Sequence, residues 1–139
     1  SKKILDLFAG TGSISYEFLS RGCEHATLVE LNFSHYKFIR EVVKTLKIEN
    51  VQVFRADVFK FMKKANGCFN IIFADPPFDL PDFNTIPNAV FKTGLLHNEG
   101  VFILEHPKEY DFSAHPNFSE IRKYGKVNFS FFENRKNSR

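Results

Sequence analysis

The chain has 139 residues, 19 Lys+Arg against 16 Asp+Glu, and a net charge of +3. That length is one domain, large enough to bury a core without disulfides or a structural metal. Hydrophobic residues at 43% and charged residues at 25% exclude a disordered, collagen-like or coiled-coil chain.

Strand-like and helix-like segments alternate. Residues 3–8 form a short apolar run stopped by Ala9-Gly-Thr-Gly12, the pattern of a buried strand ending in a tight turn. Residues 13–20 read as a helix with Ile14, Phe18 and Leu19 on one face, ended near Gly22. Residues 26–30 form a second strand. Phe33, Tyr36, Ile39, Val42, Val43 and Leu46 recur at three- and four-residue steps and predict a helix over 33–46. A third strand spans 51–54, and a short helix over 58–64 turns Phe61 and Met62 inward. The fourth strand, 69–74, is apolar except for Asn70, which signals cover on both faces of a parallel sheet. A proline-rich connection follows, then a helix over 88–93 and a fifth strand over 101–105. Segments 121–124 and 127–132 flank Gly125-Lys126 and read as a closing hairpin. The sum is an α/β fold: a doubly wound, Rossmann-like, seven-stranded and mostly parallel sheet with a C-terminal antiparallel hairpin. One domain covers 1–133, and 134–139 is expected to be a disordered tail.

The apolar runs are far shorter than the ~20 residues of a membrane span, and the start carries no signal-peptide pattern. Cys23 and Cys68 stand 45 residues apart in no metal or redox spacing. They read as buried or half-buried free thiols of a reducing, cytoplasmic compartment. The histidines at 25, 35, 97, 106 and 115 show no ligand spacing, so no metal is expected. Residues 1–119 carry 13 basic and 14 acidic side chains, whereas 120–139 carry 6 and 2. A phosphate-facing edge and a solvated strand edge both account for that basic end.

Ligands of doubly wound sheets bind outside the carboxyl ends of the strands. That rule gathers four corners. Gly10 and Gly12 follow strand 1 and open a helix, where backbone can approach a ligand closely. The third glycine of the dinucleotide fingerprint is absent, since Ser15 holds its place. Glu30, 18 residues after Gly12, ends strand 2 and can accept two ribose hydroxyls. Asp57 opens the helix after strand 3, as an N-cap, an adenine-amine acceptor, or both. Asp75-Pro76-Pro77-Phe78 closes strand 4. Two prolines lack N–H donors and a carboxylate only accepts, so this corner offers acceptors beside an aromatic face. It suits a planar ring bearing an amine: Asp75 and the Pro76 carbonyl take the N–H groups, and Phe78 stacks on the ring.

The segments LDLFAGTG (5–12), VELN (29–32), RADVF (55–59), FADPPF (73–78), LEHP (104–107) and RKYGKVNFSFF (122–132) resemble the class I S-adenosylmethionine-dependent methyltransferases. Among these the chain is most similar to the RsmD family, which methylates the N2 amine of a guanine in 16S ribosomal RNA. The resemblance implies S-adenosylmethionine as cofactor. Asp6, Phe8, Ala9, Gly10 and Gly12 would line its methionine end, Glu30 its ribose, Leu31 and Asn32 the adenine face, and Asp57 and Val58 the adenine edge. Asp75, Pro76, Pro77 and Phe78 would hold the target base. The implied partner is RNA, as 16S rRNA or an assembling small ribosomal subunit, met by a monomer with no membrane or metal. The resemblance also implies a segment before the first strand, whereas the sequence here opens two residues before that strand. An adenine-N6 methyltransferase, a nicotinamide-dependent oxidoreductase and a non-catalytic RNA-binding module are the alternatives that the residues leave open.

Overall fold

The computed structural model describes residues 2–134. Seven strands form one sheet in the order β3-β2-β1-β4-β5-β7-β6. These are β1 (Lys3–Leu7), β2 (His25–Val29), β3 (Val51–Phe54), β4 (Phe69–Ala74), β5 (Leu96–Pro107), β6 (Phe118–Tyr124) and β7 (Val127–Glu133). The first five run parallel, and β7 pairs antiparallel with both β5 and β6. The helices are α1 (Ser13–Ser20), α2 (Phe33–Thr45), α3 (Val58–Lys64) and α4 (Ile86–Thr93), the last preceded by a 3₁₀ turn over Phe83–Thr85. The chain winds outward through β2 and β3, then returns to place β4 on the other side of β1. The carboxyl ends of β1 and β4 therefore flank the switch point where this architecture opens a crevice.

Period-two alternation sorts the core into two layers. Leu5, Leu7, Ile72, Ala74, Phe102 and Leu104 pack on one face with Val58, Met62, Ile86 and Val90 from α3 and α4. Ile4, Ala26 and Leu28 pack on the other with Ile39 of α2, Phe18 and Leu19. Much of the phenylalanine content joins a ring cluster beneath the β4 corner. Phe83 has no exposed surface and stacks on Tyr110 at 4.5 Å. Tyr110 in turn lies parallel to Phe112 at 6.0 Å, and Phe112 meets Phe132 edge-on.

Several expected boundaries move for local reasons. The first strand stops at Leu7 because Phe8 turns to φ 61°, a conformation that breaks the pleat. The fifth strand is longer than 101–105, extending from Leu96 to Pro107, and β6 begins at Phe118 instead of 121. In α1 the buried residue is Ser15, and Ile14 is 39% exposed. Phe18 and Leu19 still pack on the core as expected, and Ser15 joins that face, its Oγ donating to the buried Asp6 carboxylate at 2.7 Å. On α2, Phe33 and Leu46 are exposed and only Ile39 is fully enclosed. Cys23 is half-buried as expected, but Cys68, in the turn entering β4, is exposed. Of the expected tail, Asn134 donates to the carbonyls of Leu96 (3.0 Å) and His97 (3.3 Å). Residues 135–139 lie outside the described residues. Among those described, no helix is long and apolar enough to cross a membrane, and no cluster of three His, Cys, Asp or Glu side chains could hold a metal.

Candidate active site

A cleft of about 790 Å³ opens at the carboxyl ends of β1, β2, β3 and β4. It is lined by Phe8 and Gly10, by Glu30, Leu31 and Asn32, by Asp57 and Val58, and by Asp75, Pro76, Pro77 and Phe78. The glycine corner and the Asp-Pro-Pro-Phe corner thus share one cavity. Asp6, Ala9 and Gly12, expected at the site, are not among its lining residues. His35, Phe59 and Leu80 also line it and were not anticipated. His35 was legible as the residue three after Asn32, one helical turn on. Phe59 and Leu80 carry no signal beyond their closeness to the named corners. A second cavity of about 760 Å³, bounded by β2, β3 and α3, contains none of the expected residues.

Left-handed backbone builds the first corner. Phe8, Gly10 and Gly12 all have positive φ, at 61°, 62° and 87°. For Phe8 this costs roughly 1–2 kcal/mol, and its ring is held against the core. A Cβ placed on Gly10 would meet nothing within 4 Å, so the turn presents open space there. Glu30 braces it: Oε1 accepts from Gly10 N at 2.6 Å and Oε2 from Asn32 N at 3.0 Å. A carboxylate has about four lone-pair sites. Glu30 therefore keeps acceptor capacity while tying the β1 turn to the end of β2.

Asn32 and Asp57 are helix N-caps. Asn32 Oδ1 accepts from His35 N at 3.0 Å, and Asp57 Oδ2 accepts from Lys60 N at 3.1 Å. One oxygen of Asp57 remains for a ligand, so capping and binding coexist in that residue. The outer rim is apolar: Leu31 is exposed, and the Arg55 guanidinium sits over the exposed Phe33 ring at 4.9 Å.

In the second corner the Pro77 carbonyl accepts from Leu80 N at 3.1 Å. No donor among the described residues reaches the Pro76 carbonyl, which therefore stays available. Phe78 is 45% exposed and its inner edge leans on Phe83 at 6.4 Å. The ring cluster thus supports a rigid aromatic wall.

Three acidic side chains follow one another on the same sheet face, because Asp6 of β1, Asp75 after β4 and Glu105 of β5 share the pleat phase. Burial raises the Asp6 carboxyl to about 7; Ser15 opposes that, while the charges of Asp75 and Glu30 add to it. Burial also raises Asp75, and it raises Glu105 with help from Asp75. His106 is buried on the opposite face, bonded to Pro107 O (2.9 Å) and Ser130 Oγ (2.7 Å). The histidine of the LEHP segment therefore clamps β5 to β7 and does not line the cleft.

The strand order, the glycine turn and the acid ending β2 together define a class I methyltransferase fold. Residues 1–133 match the family described as Conserved hypothetical protein 95. The chain belongs to this family, the RsmD family. It is 28% identical over 134 residues to "Ribosomal RNA small subunit methyltransferase D" of Buchnera aphidicola subsp. Baizongia pistaciae, covering 94% of this chain and 68% of that protein. The protein of the same name from Escherichia coli K12 is 31% identical over 105 residues, or 76% of this chain and 53% of the relative. This chain thus spans about half to two-thirds of the length of these relatives. The solved structure described as "Putative methyltransferase yhhF from Escherichia coli" superposes with a TM-score of 0.86 at 27% identity. It covers 96% of this chain and 75% of the other.

Proposed function

We propose that this protein transfers a methyl group from S-adenosylmethionine to an exocyclic amine of a nucleobase in ribosomal RNA, guanine N2 being the favoured target. The observation that carries this reading is the single cleft shared by the Gly10–Glu30 corner and the Asp75–Phe78 corner. The residues fit the cofactor. Glu30 retains lone pairs for vicinal hydroxyls, Asp57 has an uncommitted oxygen, and Gly10 leaves space for close approach.

When bound, the cofactor supplies an electrophilic methyl on a sulfonium, so the hard chemistry is its own. The protein's task is positioning. Asp75 and the Pro76 carbonyl accept the two amine hydrogens, and Phe78 stacks on the base. Two acceptors on one amine direct its lone pair out of the ring plane. Asp75 stabilises the positive charge that develops on nitrogen and can take the proton released from it. Its raised pKa makes it a better proton acceptor than an ordinary aspartate. The base leaves its stack to enter the cleft. Guanine is favoured because its N1–H adjoins the amine and gives an acceptor-only corner one more donor. The bare N1 of adenine would face a carboxylate.

The test is label transfer from radiolabelled S-adenosylmethionine to small-subunit rRNA lacking its modifications, alongside separate titrations with S-adenosylhomocysteine and NADH. The reading predicts transfer and binding of S-adenosylhomocysteine alone. NADH binding without a response to S-adenosylhomocysteine would reverse it in favour of the oxidoreductase. RNA binding with no cofactor binding would favour the non-catalytic module.

A further inference from the structure

The second cavity, of about 760 Å³, exists because α3 is short. Thr27 pairs with Gln52 and Val29 with Phe54. Period-two alternation therefore turns Thr27, Gln52 and Phe54 away from the face on which Ile39 of α2 packs. α3 packs on their face, but its seven residues reach only about 10 Å. Part of β2 and of the edge strand β3 is left uncovered there, and the gap beside α3 is the cavity.

Its walls combine three kinds of group. Phe54 is 41% exposed and meets Phe61 at 5.3 Å, the two rings tilted by 49°. Thr27, Gln52 and Asn66 add a hydroxyl and two amides whose side chains have no partner among the described residues. Lys3, Lys60 and Lys64 stand on the rim against one carboxylate, Glu24. These lysines are exposed and enter no ion pair among the described residues. Ammonium groups gathered without counter-charge attract an anionic partner. Single-stranded nucleic acid uses all three kinds of group: bases stack on rings, base edges meet hydroxyls and amides, and phosphates meet lysines.

Position supports the same partner. The first turn of α3 divides the two cavities: Asp57, Val58 and Phe59 line the cleft, whereas Ala56, Lys60 and Phe61 line the second cavity. A polynucleotide in the cleft has this cavity one helical turn away.

We propose that the cavity between α3 and the β2–β3 edge binds a single-stranded segment of the substrate RNA away from the target nucleotide, with a base stacked on Phe54 and phosphates on Lys60 and Lys64. The inference rests on the RNA reading above and gives that substrate a second contact, separate from the cofactor and base corners.

Cys68 provides the probe, since it lines the cavity and is exposed. The other cysteine, Cys23, is half-buried with its Sγ donating to the carbonyls of Lys2 (3.1 Å) and His25 (3.3 Å). Iodoacetamide alkylation of Cys68 in the full chain is followed by mass spectrometry with a short single-stranded RNA of mixed sequence, with guanosine 5′-monophosphate, or with a polyglutamate peptide. The proposal predicts that RNA alone slows alkylation, in proportion to the fraction of protein bound. Equal protection by the mononucleotide or the peptide overturns it, and so does a bound RNA that leaves Cys68 unprotected. The same RNA is then titrated across a salt series. Replacing Lys60 and Lys64 together with Ala lowers the slope of log K against log[salt] by about 1.4, two phosphate contacts on a single strand. Phe54→Ala weakens binding about tenfold and leaves the slope as it was. S-adenosylhomocysteine affinity stays within about twofold in both variants. Should Phe54→Ala fail to fold, the lysine pair still decides. Variants that bind RNA with wild-type affinity and slope remove the site. A wild-type chain that methylates rRNA yet leaves Cys68 open defeats this inference alone, whereas one that binds no S-adenosylhomocysteine and transfers no methyl defeats the reading beneath it.

Discussion

Replacing Asp6 with Asn isolates the cost of a buried carboxylate at the edge of the site. In an unfolded chain this carboxyl titrates near 3.8, and burial holds it at about 7 in the folded protein. The folded state therefore binds the proton more tightly, and stability falls wherever the unfolded state has released a proton that the folded state keeps. Below about pH 3.8 both states are protonated and Asp6 costs nothing. Between 3.8 and 7 the cost accumulates, and above 7 it is complete. The full difference corresponds to on the order of 4 kcal/mol. For a chain of this size that is a Tm difference of roughly 10 °C, and even half of it gives a readable ~5 °C. Asparagine keeps the shape and an oxygen for Ser15 Oγ but has no charge to bury. Thermal melts of wild type and Asp6→Asn across pH 4–8 would show coincident Tm values near pH 4. The variant would become progressively more stable as pH rises. The reasoning fails if the gap does not change with pH, or if the variant is the less stable protein at pH 8.

Three further outcomes follow from the site. Glu30→Gln replaces one acceptor with a donor against Gly10 N or Asn32 N, so S-adenosylhomocysteine affinity should fall by about 1–3 kcal/mol in titration calorimetry. An unaltered Kd would contradict the brace. Asp75→Ala should reduce methyl transfer at least about 100-fold while leaving cofactor affinity within about twofold; undiminished turnover would remove its role. Phe83→Ala deletes a fully buried ring beneath Phe78 and should cost about 3–5 kcal/mol in urea unfolding. A loss under 1 kcal/mol would show that the ring cluster does not support the second corner.

The sheet was legible because its strands are short apolar runs that end on turn residues. The parallel, doubly wound character of the sheet follows from the alternation of strands and helices, whereas the strand order does not. The two corners were legible for the same reason: chemistry at strand ends is brought together by topology, so Gly10, Glu30 and Asp75 needed no knowledge of side-chain packing. The remaining features depend on packing. The burial of Ser15 on α1 goes with a polar contact to Asp6, which hydrophobic periodicity cannot register. The packing of the Tyr16 ring beside Gly12 likewise exists only once the turn is built. Asp57 left two readings open in the sequence, and the structure shows the cap while leaving an oxygen free. The histidine of LEHP served the family resemblance but has a structural duty, because its place on the face away from the cleft depends on the pleat phase of β5.

The central claim is that one cleft brings a methyl donor to an amine held by Asp75 and Pro76. Its most direct test is mass spectrometry of nucleosides from unmodified small-subunit rRNA incubated with this protein and isotope-labelled S-adenosylmethionine. The account predicts label in N2-methylguanosine. Label on a ribose hydroxyl or a ring carbon, with the exocyclic amines unlabelled, would contradict it.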